Sequence, residues 1–315
     1  MQPEITTETS IRFGCEHFGS LKKVLLHTPG KELHLINETN KSQWLFDRVP
    51  DIPRFIDEHR RYADLLSSLG VEVLQLTDYL RTSRPLVEKL PNMTYLHDTA
   101  VITSKGAILS KMALPGRHGE QLVLKEALAN LSIPIFHEFT GQTDAFEGCL
   151  LLSPRTILVA DTERHKEHSI RKFITKAVLH FDEVIFVRVP KTRRFMHPDT
   201  IYNRLTENLA LAYLPAFENA CLYTAAGAQP IDDFQTHMAS TGIHIINVSD
   251  AEQKNLACSF VPIQPGTIIH YDHAFAPGTK HKLAKKNIRV IPFHAEALPS
   301  GGGSLRCHTL RLLRA

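Results

Sequence analysis

The sequence predicts an α/β protein in which five repeated strand–helix–strand units are arranged about an axis, as in a five-bladed propeller. Two interleaved sets of short apolar segments, each typical of a buried β-strand, support this prediction. The first set begins near Lys23, Ala107, Thr156, Leu209 and Thr267, and the second near Val71, Ile133, Val184, Ile243 and Ile288. The second set recurs at intervals of 62, 51, 59 and 45 residues. Because both sets have five members, the pattern predicts a pseudo-fivefold repeat.

A helix precedes each strand of the second set, and the first of these helices shows the pattern most clearly. Phe55, Tyr62 and Leu66 recur at helical spacing and form one apolar side. Gly70 then supplies a signal for the end of the helix, as Gly242 does before the fourth strand of the set.

No segment between the repeats has the composition of an interdomain linker, so the sequence predicts one domain over residues 1–315. A doubly wound sheet is the alternative α/β architecture. Its nucleotide-binding members carry a glycine-rich turn, GxGxxG or GxxxxGK followed by Ser or Thr. Neither motif occurs in this chain, which favours the propeller.

The composition excludes several classes of protein. The 315 residues include 36 Lys and Arg against 33 Asp and Glu, a formal charge of +3, which is too balanced for a protein that depends on phosphate contacts to nucleic acid. Charged residues at 22% and apolar residues at 43% exclude intrinsic disorder. The chain has no apolar run long enough to span a membrane, and its first ten residues, MQPEITTETS, are too polar for a secretory signal. We therefore expect a cytoplasmic protein without nucleic-acid or membrane partners.

Four polar segments interrupt the apolar pattern, and in a radial fold such segments converge where the strand ends meet the axis. His197 and Asp199 lie two residues apart, so an extended backbone would point both side chains to one face. Each segment also has an ordinary structural explanation, such as a turn residue at Asp98 or a solvated loop carboxylate at Glu147. The segments are residues 92–98 (NMTYLHD), 146–148 (FEG), 197–199 (HPD) and 301–309 (GGGSLRCHT).

Cys307 differs from the other four cysteines in its setting. Three glycines precede it and allow the backbone to approach a ligand closely, and Arg306 beside it could favour the thiolate. Cys15, Cys149, Cys221 and Cys258 have no comparable neighbours and are interpreted as packing residues. Five cysteines without paired spacing do not indicate a disulfide framework.

The 18 histidines raise the possibility of a metal site, but their spacing does not support one. HExxH and cysteine pairs at zinc spacing are absent, and His165 and His168 lack a third ligand nearby in the sequence. We expect no metal and no organic cofactor.

Taken together, the four polar segments resemble those of the guanidine-modifying enzymes: the arginine deiminases, the dimethylarginine dimethylaminohydrolases and the amidinotransferases, which share the five-bladed pentein fold. LKKVLLHTPGKEL, LFDRVPDIPRFIDEH and LGVEVLQL look most like arginine deiminases. HDTAVITSKGAILSKMALPGRHGE resembles the dimethylargininases, and FMHPDTIYNRLTENLALAYLPAF is similar to the deiminases and amidinotransferases. GGGSLRCHT looks like the loop that carries the catalytic cysteine of the family.

The resemblance implies a role for each matching residue. Cys307 would be the nucleophile, His197 the general acid and base, and Glu147 would hold His197 or share in substrate binding. Asp98 and Asp199 would bind a planar guanidinium. The resemblance also implies that Arg117 contacts a substrate carboxylate and that Asn92 contacts the amino-acid end of a substrate. The family also suggests a homodimer.

The chain departs from the family pattern at several positions. Leu150 stands where the family commonly has a second acidic residue, His97 where deiminases have Arg, and Gly302 where an arginine deiminase loop has Arg. Pro198 replaces the usual Leu between His197 and Asp199. The helical insertion of bacterial arginine deiminases is too long for this chain.

The function expected from the resemblance is hydrolysis of a guanidino C–N bond in arginine or an arginine-like small molecule, through a covalent intermediate on Cys307. Two alternatives use the same scaffold for amidino transfer or for dimethylarginine hydrolysis. A third alternative, motivated by Leu150 and Pro198, is a pentein that binds a ligand or a partner without catalysis.

Overall fold

The computed structural model describes residues 13–315, so the polar N-terminal segment that argues against a secretory signal lies outside the described residues. The described chain is a mixed α/β fold. Its strands are β1 (Leu21–Leu26), β2 (Glu72–Gln75), β3 (Ala100–Thr103), β4 (Gly106–Leu109), β5 (Ile135–Glu138), β6 (Leu150–Leu151), β7 (Thr156–Asp161), β8 (Glu183–Arg188), β9 (Tyr202–Arg204), β10 (Leu209–Ala212), β11 (Asn219–Thr224), β12 (Gly227–Ile231), β13 (His244–Asn247), β14 (Val261–Gln264), β15 (Thr267–Tyr271), β16 (Arg289–Phe293) and β17 (Leu310–Arg314). Its α-helices are α1 (Ile52–Ser68), α2 (Arg84–Val87), α3 (Glu120–Asn130), α4 (Glu167–Ala177), α5 (Phe234–Ser240), α6 (Asp250–Lys254) and α7 (Pro277–Lys285).

Within residues 13–315 these strands form five sheets, each built around a central strand with one parallel and one antiparallel neighbour. The central strands are β1, β4, β7, β10 and β15, and their parallel neighbours are β2, β5, β8, β13 and β16. These are the two sets predicted from the sequence, and both sets are confirmed to within two residues at their starts. The arrangement of the sheets as propeller blades stays a prediction.

A parallel pair requires a crossover connection, and a helix provides it in every sheet. The crossovers contain α1, α3, α4, α5 and α7 in turn. The predicted face of α1 is confirmed, since Phe55, Tyr62 and Leu66 are fully buried. Gly70 and Gly242 have φ values of 81° and 84°, which is the left-handed conformation that glycine adopts most easily after a helix.

The antiparallel neighbours are β17, β3, β6, β9 and β14. Four of them directly precede their central strand in the chain, whereas β17 comes from the C-terminal end and pairs with β1 from Leu21 to Leu25. The first sheet is therefore completed by the last strand. The hairpin β11–β12 extends the third sheet beyond β8, and it has no counterpart in the other sheets of the described residues.

Glu58 on α1 fixes the segment that leads to the glycine-rich loop. Its carboxylate is fully buried and accepts hydrogen bonds from the backbone N–H groups of Glu296, Ala297 and Leu298, each at 2.9 Å. The entry to the loop that carries Cys307 is thus held by the first helix.

Among residues 13–315, no helix combines the length and the apolar character that a membrane crossing requires.

Candidate active site

The predicted site residues occupy equivalent places in the repeats. Asp98 precedes β3, Glu147 precedes β6, and Cys307 precedes β17. His197 and Asp199 precede β9. Each residue therefore lies just before the antiparallel strand of its own sheet, which explains how positions scattered over 200 residues of sequence come together.

All seven residues predicted from the sequence line one or both of two neighbouring cavities. The first cavity is lined in part by Asn92, Asp98, Arg117, His197 and Cys307. We call it the thiol cavity. The second is lined in part by Asp98, Glu147, His197 and Asp199, and we call it the carboxylate cavity. Asp98 and His197 line both cavities and so connect them.

His197 is held between two carboxylates. Its Nε2 lies 2.9 Å from Oε2 of Glu147, and its Nδ1 lies 3.5 Å from Oδ1 of Asp98. Burial alone would lower the pKa of His197, but the charge of Asp98 and the hydrogen bond and charge of Glu147 outweigh burial, so the pKa is raised above its ordinary 6.5. The imidazole is therefore favoured in its protonated form.

Glu147 is ionised although it is fully enclosed. Burial would raise its pKa, but the hydrogen bond with His197 and the charges of Arg164 and Arg117 lower that pKa to about 2. Arg164 Nη1 lies 3.6 Å and Arg117 Nη1 lies 3.9 Å from Oε2 of Glu147. Its other oxygen, Oε1, accepts a hydrogen bond from the backbone N–H of Ala113 at 2.8 Å. Glu147 thus fixes His197 from a rigid position.

The Glu147–His197 pair predicts a pH-dependent stability. Glu147 has a depressed pKa, so its contribution to the free energy of unfolding is present above pH 4.5 and is lost as the pH falls toward 2. His197 has a raised pKa, so its contribution to the free energy of unfolding is present below pH 6.5 and is lost as the pH rises through its folded-state pKa. Glu147→Gln is therefore expected to lower the free energy of unfolding by roughly 3–5 kcal/mol between these limits. The difference in free energy of unfolding between Glu147→Gln and wild type should become smaller toward alkaline pH.

Urea unfolding of both proteins at about pH 5.5 and about pH 9, with an NMR titration of His197, measures this effect. The matched control is Glu167→Gln, because Glu167 pairs with Arg171 in solvent, where its side chain is 62% exposed. A stability difference that stays the same above pH 6.5 would contradict the assigned protonation of His197.

Arg117 has several partners inside the protein. Its Nη1 donates to Oδ2 of Asp98 at 2.7 Å, and its Nε and Nη2 donate to Glu120 at 2.8–3.1 Å. Burial raises the pKa of Glu120 to about 7, against the opposing effect of Arg117. This geometry favours a role for Arg117 in orienting Asp98, whereas the sequence suggested contact with a substrate carboxylate. Asn92 donates its Nδ2 hydrogen to the carbonyl of Trp44 at 2.9 Å and lines the thiol cavity.

Asp199 does not lie in an extended segment, which corrects the expectation from sequence. Residues Pro198–Thr200 form a short 3-10 helix, and only His197 before it is extended. A turn over Pro198 directs the two side chains to different partners, because Asp199 Oδ2 lies 3.0 Å from Nε of Arg306 and 3.8 Å from Nε2 of His97. The two residues nevertheless line the same carboxylate cavity.

Cys307 is buried, with 5% of its surface exposed, and lies in a turn before β17. Its Sγ lies 3.4 Å from the backbone nitrogen and 3.5 Å from the hydroxyl of Ser304. Burial raises the pKa of the thiol well above 9.0, and the charges of Asp98 and Asp199 raise it further, whereas the contacts with Ser304 lower it. The charge of Arg306 interacts favourably with a Cys307 thiolate, as expected, but burial and the two carboxylates outweigh it, and the Arg306 guanidinium also forms an ion pair with Asp199.

Gly301 and Gly303 are required before Cys307 because Tyr95 packs directly against them. A Cβ atom at Gly303 would lie 2.4 Å from Cε1 of Tyr95, and one at Gly301 would lie 1.9 Å from its hydroxyl. Tyr95 is buried, so its ring has little room to retreat. The loop can reach this position only without side chains.

Gly303→Ala is expected to lower stability by about 1–3 kcal/mol, the usual cost of overpacking, and to reduce turnover because the displaced loop carries Cys307. Thermal unfolding and steady-state kinetics measure both effects. Gly278→Ala in α7 is the matched control, since a Cβ atom there meets no other atom within 4 Å. Wild-type stability and turnover in Gly303→Ala would contradict the close packing on Tyr95.

Sequence reasoning did not single out Arg164, Glu120, Tyr95 or Ser304. Arg164 is buried at 2% exposure and lines the thiol cavity, yet its sequence context, TERHKEH, is ordinary and polar. Tyr95 lies inside the polar segment 92–98, and its role becomes visible only from its contacts with Gly301 and Gly303. Within residues 13–315, no group of three or more His, Cys, Asp or Glu side chains is placed to hold a metal ion.

A model of the arginine deiminase family matches residues 79–314, which is more than half of the chain. The chain belongs to the arginine deiminase family. An arginine deiminase of Mycobacterium avium (strain 104) is 24% identical over 399 aligned positions, covering 94% of this chain and 96% of that enzyme. A Bacillus subtilis (strain 168) protein described as uncharacterized, YkgA, is 26% identical over 303 residues, covering 94% of this chain and 93% of that protein.

Solved structures of this enzyme superfamily share the fold. The N-terminal domain of ArgZ, described as an arginine dihydrolase of cyanobacteria, superposes with a TM-score of 0.70 at 19% identity over 93% of this chain and 97% of that one. A dimethylarginine dimethylaminohydrolase superposes with a TM-score of 0.67 at 18% identity over 92% of this chain and 99% of that one. At these identities the likeness concerns the fold, which is that of the pentein enzymes.

Proposed function

We propose that this arginine deiminase family member is a hydrolase that cleaves a guanidino C–N bond of arginine or an arginine-like small molecule, through a covalent intermediate on Cys307. We further propose that its five sheets are arranged as the blades of the pentein propeller. The observation that carries the proposed function is the convergence of Cys307, His197 and the three carboxylates of Asp98, Glu147 and Asp199 on two cavities that share Asp98 and His197.

Substrate binding in this proposal depends on Asp98 and Asp199. A guanidinium is planar and presents a fork of N–H donors, which carboxylates recognise through paired, charge-assisted hydrogen bonds. Asp98 Oδ1 is buried and accepts no hydrogen bond within residues 13–315, so one of its oxygens is free to accept a substrate N–H. Asp98 is held in place by Arg117 at 2.7 Å.

The cationic substrate also activates the nucleophile. Burial raises the pKa of the Cys307 thiol, and the charges of Asp98 and Asp199 raise it further. A guanidinium bound between these two carboxylates offsets their charge, so substrate binding favours loss of the thiol proton. The Cys307 thiolate is therefore formed mainly when a guanidino substrate is bound beside it.

The reaction proceeds in two stages. The Cys307 thiolate adds to the central guanidino carbon, and His197 donates its proton to the departing nitrogen as the C–N bond breaks. His197, now neutral, removes a proton from water, which adds to the same carbon and expels the Cys307 thiolate. The product is a ureido compound, and Glu147 keeps the imidazole aligned in both stages. The N-terminal domain of ArgZ has been described covalently bonded to a reaction intermediate, which supports this route for a related fold.

A substrate panel tests the proposal. Arginine, agmatine, methylated arginines and guanidinoacetate are each incubated with the protein, and ammonia, alkylamine and ureido product are quantified. One ammonia per ureido product indicates deiminase chemistry, and alkylamine from a methylated arginine indicates dimethylargininase chemistry. The same panel with glycine or ornithine as amine acceptor detects amidino transfer. Failure to turn over any guanidine, with no labelling of Cys307 by a small electrophilic amidine, would favour a non-catalytic binding protein.

A further inference from the structure

A third cavity lies beside the active site and differs from the first two in the charge of its lining. Four arginines line it: Arg204, Arg306, Arg311 and Arg314. Leu150 lines both this cavity and the carboxylate cavity, so the two spaces are close neighbours. We call the third space the arginine cavity.

The charges of these arginines are poorly neutralised. Arg204 donates to the carbonyls of Leu152 and Glu207, and Arg314 donates to those of Gly19 (2.7 Å) and Pro262. Carbonyls satisfy donors but carry no net charge. Within residues 13–315, Asp199 is the one carboxylate within 4 Å of any of the four guanidiniums, and it contacts only Arg306.

Glu16 also lines the arginine cavity, but within residues 13–315 it forms no ion pair with any of the four arginines, and its Oε2 is buried without a hydrogen-bond partner. Its Oε1 accepts hydrogen bonds from the backbone and the hydroxyl of Ser104, the latter at 2.7 Å. Phe18 stacks over the guanidiniums of Arg204 and Arg314, at 4.9 and 5.9 Å from the ring centre. The aromatic face tolerates a cation without cancelling its charge.

Several donors around the cavity have no partner in the part of the chain that the structure describes. They include Nη1 of Arg306, Nε of Arg311 and the hydroxyl of Tyr202, all of them buried atoms. Arg306 is 2% exposed and Tyr202 is fully buried. Buried donors without partners are rare in native proteins because each costs the full desolvation of the group.

Burial and the charge of Arg311 lower the pKa of both Arg306 and Arg314 to about 9. Like charges enclosed together destabilise one another unless a counter-charge is supplied.

We propose that the arginine cavity is a binding site for a small oxyanion, a phosphate or a carboxylate, distinct from the guanidino substrate site. The guanidinium forks of Arg306 and Arg311 and the hydroxyl of Tyr202 supply the unpaired donors, and an oxyanion is the acceptor that matches their geometry and charge. Because Arg306 also contacts Asp199, the bound anion and the substrate-binding carboxylate share one arginine.

Calorimetric titration of the full chain tests this proposal, with inorganic phosphate and with succinate as separate probes at constant ionic strength. The variants are Arg311→Gln and the control Arg155→Gln, whose side chain is 79% exposed on the surface. Wild type and Arg155→Gln are expected to bind at least one probe saturably, with one anion per chain. Arg311→Gln is expected to bind it at least tenfold more weakly. The tighter of the two probes identifies the class of oxyanion.

If Arg311→Gln does not fold, Tyr202→Phe and Arg311→Lys replace it. Removing only the hydroxyl, or only the fork of the guanidinium, is expected to weaken binding severalfold. In the absence of either probe, Arg311→Gln should unfold at the same temperature as wild type or higher, since a like charge is removed. Absence of saturable binding to wild type, or equal binding by wild type and the cavity variants, would overturn the proposal.

Discussion

Replacement of Cys307 by alanine is expected to reduce turnover of the guanidino substrate by roughly 10⁴-fold or more, the scale seen when an enzyme loses its nucleophile. The remaining groups would still bind the cation, because Asp98 and Asp199 are unchanged. The fold should be retained, since the substitution removes a single buried sulfur atom. Steady-state kinetics with the substrate identified by the panel, and circular dichroism, measure the two expectations.

Cys149→Ala is the matched control for Cys307→Ala. Cys149 is buried and also lines the carboxylate cavity, but burial raises the pKa of its thiol to about 12 and no nearby group counters that effect. We expect Cys149→Ala to keep most of the activity. A small electrophilic amidine should label wild type at Cys307 alone. Wild-type turnover in Cys307→Ala, or labelling transferred to Cys149, would contradict the proposed nucleophile.

Replacement of His197 by asparagine is expected to lower kcat by about 10²–10⁴-fold, the usual contribution of general acid–base catalysis. The first stage fails because nothing protonates the departing nitrogen. An S-alkyl isothiourea analogue of the substrate avoids this requirement, since a thiolate leaves without a proton. With that analogue, His197→Asn should release about one thiol per active site in a rapid burst and then stall, because water is no longer deprotonated.

His168→Gln is the control for this experiment, because His168 is 45% exposed and pairs with Asp144 outside the cavities. It should match wild type with both the natural substrate and the analogue. Equal loss of activity with guanidine and analogue in His197→Asn, without a burst, would indicate that His197 only maintains the structure.

Much of the fold was predictable because the strand signal is local. The central and parallel strands are short apolar runs bounded by Gly, Pro or polar turns, and their five recurrences reinforced one another. The hairpin β11–β12 was missed because most of β12 is exposed and its sequence, GAQPI, carries no apolar pattern. The pairing of β17 with β1 was also beyond sequence reasoning, since it depends on two segments at opposite ends of the described chain.

The sequence predicted which residues line the candidate site better than it predicted their protonation states and ion pairs. Asp98, Glu147, His197 and Cys307 lie in recognisable segments, and the structure brings all four to the cavities. Their protonation states depend on partners far away in sequence, such as Arg164 beside Glu147, that no local pattern marks. The orientation of Arg306 shows the limit clearly: its neighbour in sequence is Cys307, but its ionic partner is Asp199.

Strand β17 pairs with β1, and nearly all of the described chain lies between these two strands. The pairing therefore requires the two ends of the described chain to come together. Closing so long a loop costs chain entropy before any contact repays it, so such pairings form late in folding. Cys307 lies just before β17 and reaches its position only with this closure. During refolding from urea, we therefore expect catalytic activity to return more slowly than far-ultraviolet circular dichroism, with the nucleophile among the last groups to be placed.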